Sequence, residues 1–148
     1  MVTGLKNAER FNAAGRTAVE QRNVATVRII FEGLARADFS VLFSNLAADG
    51  SIWIVGFTPQ KLPRNAGNQN FFSELFPNGM DFDIKQIAVD GNLIVVEWED
   101  MCITKDGKKY ENTGCSLFTF TDEGKLRSYR EYIDPEKFYA ILSRADEH

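Results

Sequence analysis

Apolar residues recur at helical spacing in the first third of the chain. From Thr17 onward they lie three or four positions apart, which predicts an amphipathic helix. The apolar positions of this helix are Val24, Val27, Phe31 and Leu34. Residues 1–16 are small and polar without a clear period, so we expect a tail or an N-terminal arm there.

A second helix and a short strand are predicted next. Asp38 is a typical N-cap residue, and the apolar positions after it share one helical stripe. Those positions are Phe39, Leu42, Phe43 and Leu46. The helix should end near residue 49, and residues 51–56 are typical of a short strand. A helical turn or two around Phe71 and Phe72 should end at Pro77. The intervening loop is indicated by Pro59, Pro63 and Gly67.

The second half of the chain changes to the alternating pattern of half-buried strands. Strands are predicted over about residues 80–88, 93–103, 110–121 and 126–133, with an Asp-Gly or Asp-Glu-Gly turn sequence between each pair. Asp134 is then a helix N-cap, and Pro135 takes the first helical position. Helices followed by a four-stranded meander predict an α+β fold, with residues 17–148 as a single domain.

Composition limits the kinds of partner that the chain can have. Its 148 residues are the size of one domain, and its formal net charge is −4. No run of Lys or Arg exceeds two residues, so we expect no nucleic-acid partner. No apolar stretch approaches the roughly 20 residues of a membrane span, and the N-terminus lacks the apolar core of a signal peptide. The default expectation is therefore a cytoplasmic protein without a membrane partner.

Histidine chemistry is largely excluded. The single histidine is the last residue, His148, which leaves no basis for a His-containing triad or a His-ligated metal. Cys102 and Cys115 have no zinc-ligand spacing, and we expect them to pack as small hydrophobic residues. Chemistry in this chain should therefore come from carboxylates, tyrosine, arginine, amides or the two thiols.

One predicted strand carries a carboxylate out of pattern. Its alternate positions share a face that is apolar except for Asp100. The members of that face are Ile94, Val96, Trp98, Asp100 and Cys102. An unpaired carboxylate in a packed core is costly, so Asp100 should be paired, protonated or in a cavity. Two interpretations stay open: a structural contact with a turn or a buried arginine, and a carboxylate in a pocket.

The last strand has two faces that alternation does not tell apart. Tyr129 and Glu131 lie on one face, and Arg130 and Tyr132 lie on the other. Either charged residue could be the cross-strand partner of an exposed charge. Glu131 could equally be a catalytic carboxylate if its face points inward.

The C-terminal third carries motifs of a known family. They are the stretches Gly107 to Asn112, Phe118 to Phe120, Gly124 to Leu126 and Tyr129 to Pro135. In them the chain resembles SnoaL-like proteins of the nuclear transport factor 2-like superfamily, which includes ketosteroid-isomerase-related proteins. The pattern is also similar to limonene-epoxide-hydrolase-type enzymes and to phenazine-biosynthesis isomerase-type proteins. The resemblance covers roughly residues 23–142.

The resemblance implies a cone, a strongly curved and mostly antiparallel sheet wrapped around N-terminal helices, with an apolar pocket. It turns Tyr129 and Glu131 inward. Matching the strands puts Asp100 and Glu131 where epoxide hydrolases of this kind hold two carboxylates, and it puts Trp98 in place of their arginine. Their water-holding Tyr and Asn have no clear counterpart near residues 52–54. The histidine that accompanies the glutamate of phenazine-type proteins is also absent.

The residues implied in the site are two carboxylates and a set of aromatic side chains. Asp100 and Glu131 are implied as catalytic residues, because two carboxyls in an apolar cavity raise the pKa of at least one of them toward neutrality. The implied substrate-binding residues are Trp53, Phe72, Trp98, Phe118, Phe120 and Tyr129.

The function implied is that of a cofactor-free acid–base enzyme, an isomerase, cyclase or dehydratase acting on a small, largely apolar molecule. The alternatives are an epoxide hydrolase of the limonene-epoxide type and a non-catalytic small-molecule-binding protein. No metal is implied. Because the superfamily often pairs its sheets, a homodimer is expected through the outer sheet face. The residues of that face include Val95, Glu97, Glu99, Met101 and Leu117.

Overall fold

The structure is a computed structural model that describes residues 4–12, 15–56 and 70–146, without the side chains of residues 70–72 and 143–146. The loop predicted around Pro59, Pro63 and Gly67 lies outside the described residues. Of the residues before Thr17, those from 4 to 12 have regular structure and pack on the sheet. The expectation of a tail or an N-terminal arm specified no strand or helix in this segment.

The N-terminal segment contains a short strand and a 3-10 helix. Strand β1 (Leu5–Lys6) pairs in parallel with β3 (Asp81–Asp90), and the 3-10 helix spans Ala8–Phe11. Phe11 is only 4% exposed, and its ring centroid lies 5.9 Å from that of Phe31. One apolar residue in a polar stretch has no period, which is why the pattern did not predict this packing.

Phe11→Ala should lower the free energy of unfolding by about 2–3 kcal/mol, less than the full cost of a core Phe→Ala change because a terminal segment can relax. Chemical denaturation measures the effect. The control is Arg10→Ala, a change at the neighbouring exposed residue. Equal stability of the two variants would mean that the segment does not stabilise the domain.

The helices follow their sequence signals closely at their N-termini. Helix α1 (Ala18–Ala35) begins with a capping box. The backbone N–H of Glu20 donates to Thr17 Oγ1 at 3.2 Å, and the N–H of Thr17 donates to Glu20 Oε1 at 2.9 Å. Helix α3 (Asn70–Leu75) and helix α4 (Pro135–Asp146) lie where they were predicted.

The second helix is shorter than predicted. Helix α2 (Ser40–Ser44) has Phe39 at its N-cap and not the predicted Asp38. Asp38 lies one residue earlier, and its Oδ1 accepts a hydrogen bond from the backbone N–H of Ser40 at 3.1 Å. The helix ends before Leu46, because strand β2 (Leu46–Ile54) begins there and pairs with a strand far along the chain. The apolar stripe at helical spacing is therefore divided between a helix and a strand.

The described strands form one six-stranded sheet in the order β1-β3-β4-β5-β6-β2. The predicted meander is its centre: β3, β4 (Leu93–Ile103), β5 (Lys109–Phe120) and β6 (Leu126–Ile133) pair antiparallel in sequence order. Strand β2 adds in parallel to β6 at one edge, and β1 adds in parallel to β3 at the other. The fold is α+β, and the open sheet forms the expected cone.

The core lies between α1 and the inner face of the sheet. Phe31 of α1 is completely buried, and its ring centroid lies 5.4 Å from that of Phe82 and 5.9 Å from that of Phe118. These two rings belong to different strands, so one helical side chain joins α1 to both halves of the meander. None of the helices in the described part of the chain is both long and apolar enough to cross a bilayer.

Candidate functional site

Strand β4 presents its predicted apolar face to the interior. All five members, Ile94, Val96, Trp98, Asp100 and Cys102, are buried, and Asp100 is 6% exposed. The intervening Glu97 and Glu99 are exposed on the outer face. The alternation of the strand therefore brings one carboxyl into the core.

Strand β6 brings a second carboxyl to the same place. Its pairing with β2 sets Ile52 opposite Tyr129 and Ile54 opposite Glu131. Tyr129 is buried and Glu131 is half-buried, and both face the interior beside the two isoleucines. The inward orientation that the family resemblance implied for Tyr129 and Glu131 agrees with this placement.

These side chains border a cavity of about 110 Å³ between the sheet, α2 and α4. Typical sites for drug-sized ligands are about 300–1,000 Å³, so this one fits a small molecule or one end of a larger molecule. Apart from Asp100, Glu131 and Tyr129, the walls are apolar. They are formed by Leu34, Phe39, Leu42, Phe43, Ile52, Ile54, Phe76, Met80, Phe82, Trp98 and Phe138.

Asp100 is the electrostatic outlier of the cavity. Its Oδ1 is buried and has no hydrogen-bond partner. Loss of hydration on burial, followed by repulsion from Glu131, raises the pKa of Asp100 to about 8. The backbone N–H of Asn112 and the ammonium of Lys137 favour the ionised form but do not outweigh burial. At neutral pH this carboxyl is therefore mostly protonated.

Glu131 differs from Asp100 because a side-chain hydroxyl donates a hydrogen bond to it. The Tyr129 hydroxyl donates to Glu131 Oε1. Burial raises the pKa of Glu131, and the hydrogen bond from Tyr129 opposes that rise. Tyr129 itself is held neutral, since burial and the nearby carboxyl raise its pKa well above its usual value. Two carboxyls in unlike surroundings are the usual arrangement of an acid–base pair.

Two of the six predicted substrate-binding residues, Trp98 and Tyr129, line the cavity together with both predicted catalytic residues. Phe118 and Phe120 do not. They are buried in the core, where the ring of Phe118 packs on Phe31 and Tyr129. The side chain of Phe72 lies outside the described residues.

Trp53 is a correction to the expected site. Its register partner in β6 is Arg130, so its side chain lies on the outer face of the sheet, 38% exposed. The Arg130 guanidinium carbon lies 4.3 Å from the Trp53 ring centroid, and the Tyr132 ring lies 5.2 Å away. The flanking Ile52 and Ile54 take its expected place at the cavity.

Sequence reasoning did not identify Ser116, which is completely buried on the inner face of β5. Its Oγ accepts a hydrogen bond from Trp98 Nε1 at 2.9 Å and lies 3.2 Å from the Tyr129 hydroxyl. The signal was available: Ser116 alternates with Phe118 and Phe120, so it is a polar residue on an apolar face, as Asp100 is.

The thiols lack the character of nucleophiles. Cys102 is buried, and burial raises the pKa of its thiol to about 12, which leaves almost no thiolate at neutral pH. Burial also raises the pKa of Cys115. Within the described ranges, no group of three or more His, Cys, Asp or Glu side chains is placed to hold a metal ion.

Comparison with known proteins identifies a family and a fold. A family model described as the SnoaL-like domain matches residues 7–129. Three solved structures are similar over most of the chain, all at or below 21% identity, so they show the fold alone. No curated protein matches the sequence.

The first of these structures is a candidate SnoaL-like polyketide cyclase from Jannaschia, with a TM-score of 0.65, 19% identity, and 86% of this chain and 96% of that chain covered. An LEH-like epoxide hydrolase from M. tuberculosis has a TM-score of 0.60 and 20% identity, with 84% and 92% covered. An NTF2-like protein from Anabaena variabilis has a TM-score of 0.61 and 21% identity, with 82% and 96% covered.

Proposed function

The chain belongs to the SnoaL-like domain family, and from that starting point we propose that it is a cofactor-free acid–base enzyme acting on a small, largely apolar molecule. The observation that carries the proposal is Asp100, whose Oδ1 has no partner and whose pKa is raised to about 8 at an apolar cavity. Such a carboxyl holds a proton at neutral pH and can donate it, as a general acid must.

The reaction class follows from two carboxyls at one small cavity. One carboxyl removes a proton from a substrate carbon, and the other donates a proton to a developing oxyanion or a leaving hydroxyl. Isomerisation, dehydration and ring closure of a carbonyl compound each need this pair. The apolar walls exclude water, which strengthens the electrostatic effect of each carboxyl on the bound molecule.

Epoxide opening is the second candidate, supported by the likeness to the M. tuberculosis epoxide hydrolase. Asp100 would protonate the epoxide oxygen as its carbon–oxygen bond breaks, while Glu131 takes a proton from the water that attacks the carbon. The product is a diol. One observation disfavours this candidate: Trp98 stands where such enzymes are expected to hold an arginine, and its Nε1 is already hydrogen-bonded to Ser116.

A panel of small enones, hydroxy ketones and epoxides tests the proposal. The protein is incubated with each compound, and product is followed by mass spectrometry, with water labelled by oxygen-18 to detect hydrolysis. Conversion that Asp100→Asn abolishes supports the enzyme, and the compound class decides between the two candidates. Asp83→Asn is the matched control, because Asp83 lies on the outer face of β3 beside Lys85.

Binding without conversion would instead indicate a small-molecule-binding protein of the same fold. In that case a compound should bind at the cavity residues, and no product should form after long incubation. The homodimer through the outer face of the sheet stays a prediction. Light scattering at high protein concentration tests it, and a monomer would count against it.

A further inference from the structure

A continuous chain of hydrogen bonds runs across three strands from Trp98 to Glu131. Trp98 Nε1 lies 2.9 Å from Ser116 Oγ, Ser116 Oγ lies 3.2 Å from the Tyr129 hydroxyl, and Tyr129 bonds to Glu131 Oε1. Trp98, Ser116 and Tyr129 are all buried, so solvent does not compete for these bonds.

The direction of this chain is set at its Trp98 end. The indole N–H is a donor only, so the Ser116 oxygen must accept from it. The Ser116 hydrogen then goes to the Tyr129 oxygen, and the Tyr129 hydrogen goes to Glu131. In the reverse direction the Ser116 oxygen would accept from both Trp98 and Tyr129. Its own hydrogen would then have no acceptor among the residues that the structure describes. An unpaired buried hydroxyl is unfavourable, so the direction toward Glu131 wins.

We propose that this hydrogen-bond chain holds Glu131 as the proton acceptor of the carboxyl pair and leaves Asp100 as the proton donor. Trp98, Ser116 and Tyr129 are then positioning residues that act through Glu131. The inference rests on the proposed function, because it assigns the two roles that an acid–base enzyme needs to particular carboxyls.

The surroundings of the two carboxyls support the assignment. A hydrogen bond donated to a carboxylate favours its ionised form, whereas burial without a donor favours the neutral form. Glu131 accepts a hydrogen bond from the Tyr129 hydroxyl. Asp100 Oδ1 has no partner, and the backbone N–H of Asn112 does not outweigh the burial of the Asp100 carboxyl.

The titratable groups near the pair come from three elements besides β6. Strand β4 contributes Cys102, strand β5 contributes Tyr110, and helix α4 contributes Lys137, which favours ionised Asp100. From α1, α2 and β2, the cavity walls contain only apolar side chains. They are Leu34, Phe39, Leu42, Phe43, Ile52 and Ile54. Lys137 favours ionised Asp100 but does not outweigh the effect of burial on that carboxyl.

Gly114 makes room for the first member of the chain. It lies opposite Trp98 in the register of β4 and β5. A Cβ atom at position 114 would lie 2.4 Å from Cζ2 of the indole, well inside any ordinary contact distance. The absence of a side chain lets the indole lie against the β5 backbone and reach Ser116, two residues further along that strand.

Side-chain carboxyl titration by carbon-13 NMR tests the assignment without a substrate. In the wild type we expect Glu131 to titrate below Asp100. Tyr129→Phe should raise the midpoint of Glu131 by about one to two pH units, and it should lower the midpoint of Asp100 because a neutral Glu131 no longer repels it. Ser116→Ala and Gly114→Ala should shift Glu131 in the same direction by less.

Two controls separate this effect from a general disturbance of the sheet. Ser128→Ala removes a hydroxyl next to Tyr129 in sequence but on the other face of β6, and it should leave both midpoints unchanged. Ser116→Thr keeps the hydroxyl and should restore the wild-type midpoint of Glu131. Tyr129→Phe keeps the ring that packs 5.2 Å from Phe118, so this variant should fold.

An unchanged Glu131 midpoint in Tyr129→Phe, or Glu131 titrating above Asp100 in the wild type, would overturn the assignment. These failures differ from failure of the proposed function. The midpoints can behave as expected while Asp100→Asn still converts substrate normally, in which case the proposed function fails and the hydrogen-bond chain stands. Conversely, Asp100→Asn and Glu131→Gln can both lose conversion while Tyr129→Phe leaves the Glu131 midpoint unchanged. In that case the proposed function stands and the hydrogen-bond chain fails.

Discussion

Asp100→Asn should lower turnover of a converted compound by about 10²- to 10⁴-fold, the usual contribution of a general acid. The amide keeps the size of the carboxyl but has no proton of suitable acidity to donate. The measurement is the initial rate at saturating substrate, compared with Asp83→Asn, which changes the same chemical group on the outer face of the sheet and should leave the rate unchanged.

Glu131→Gln should cause a loss of similar size, because the pair works as a unit and either member alone cannot complete the proton transfers. Glu99→Gln is its matched control, since Glu99 is exposed on the outer face of β4. Wild-type rates in both Asp100→Asn and Glu131→Gln would rule out the acid–base mechanism at this cavity.

Asp100 should also make the protein less stable as the pH rises. In the folded state its pKa is raised to about 8 from 3.8, so between those values the folded protein binds more protons than the unfolded chain. The free energy of unfolding then falls with increasing pH, by about 1.4 kcal/mol per pH unit at most. Over the whole interval the loss from this one group amounts to about 6 kcal/mol as an upper bound.

Asp100→Asn removes this loss, because the amide is neutral at every pH. Relative to the wild type, the variant should gain stability progressively from pH 4 to pH 8 and keep the full gain above pH 8. Denaturant unfolding at intervals of one pH unit measures the difference. The stability difference between Asp83→Asn and the wild type should have the opposite sign. The hydrogen bond with Lys85 lowers the pKa of Asp83, so its carboxylate stabilises the fold above its unfolded pKa. A pH-independent difference between Asp100→Asn and the wild type would mean that Asp100 is ionised in the fold.

A residue that weakens the fold while it supplies the chemistry is expected at a functional site. The sequence rule that Asp100 breaks is local: one carboxyl on an otherwise apolar strand face. Both the loss of activity and the gain in stability in one variant would therefore have the same physical origin, the buried neutral carboxyl whose Oδ1 has no partner.

The central meander could be predicted because its signals are local. Alternation assigns the faces of β4, Asp-Gly sequences mark the turns, and Asp134 with Pro135 marks the start of α4. None of these signals depends on a partner distant in the chain. The helical spacing of apolar residues from Thr17 onward is also local, and α1 begins at the next residue, Ala18.

The edges of the sheet could not be predicted in this way. Strand β2 pairs in parallel with β6, whose residues lie 77 to 80 positions later in the chain, and only that register decides that Trp53 faces outward. A one-residue difference in register would have reversed its face and that of Ile52. The N-terminal strand β1 has two residues and no period of its own, so its pairing with β3 depends entirely on tertiary contacts.

The residues of the candidate site also differ in whether local signals are enough to place them. Asp100 and Trp98 could be placed from alternation within one strand, whereas the inward face of Tyr129 and Glu131 required the family resemblance. Ser116 required the pairing of three strands, because its role depends on an indole from β4 and a hydroxyl from β6.

The most direct test of the site is the titration of Asp100 in the wild-type protein, followed by its side-chain carboxyl carbon-13 resonance and assigned by its absence in Asp100→Asn. A midpoint near 8 is expected, because burial and Glu131 both disfavour the ionised form. A midpoint near the ordinary value of about 4 would contradict the proposal, since a solvated carboxylate could not serve as the proton donor.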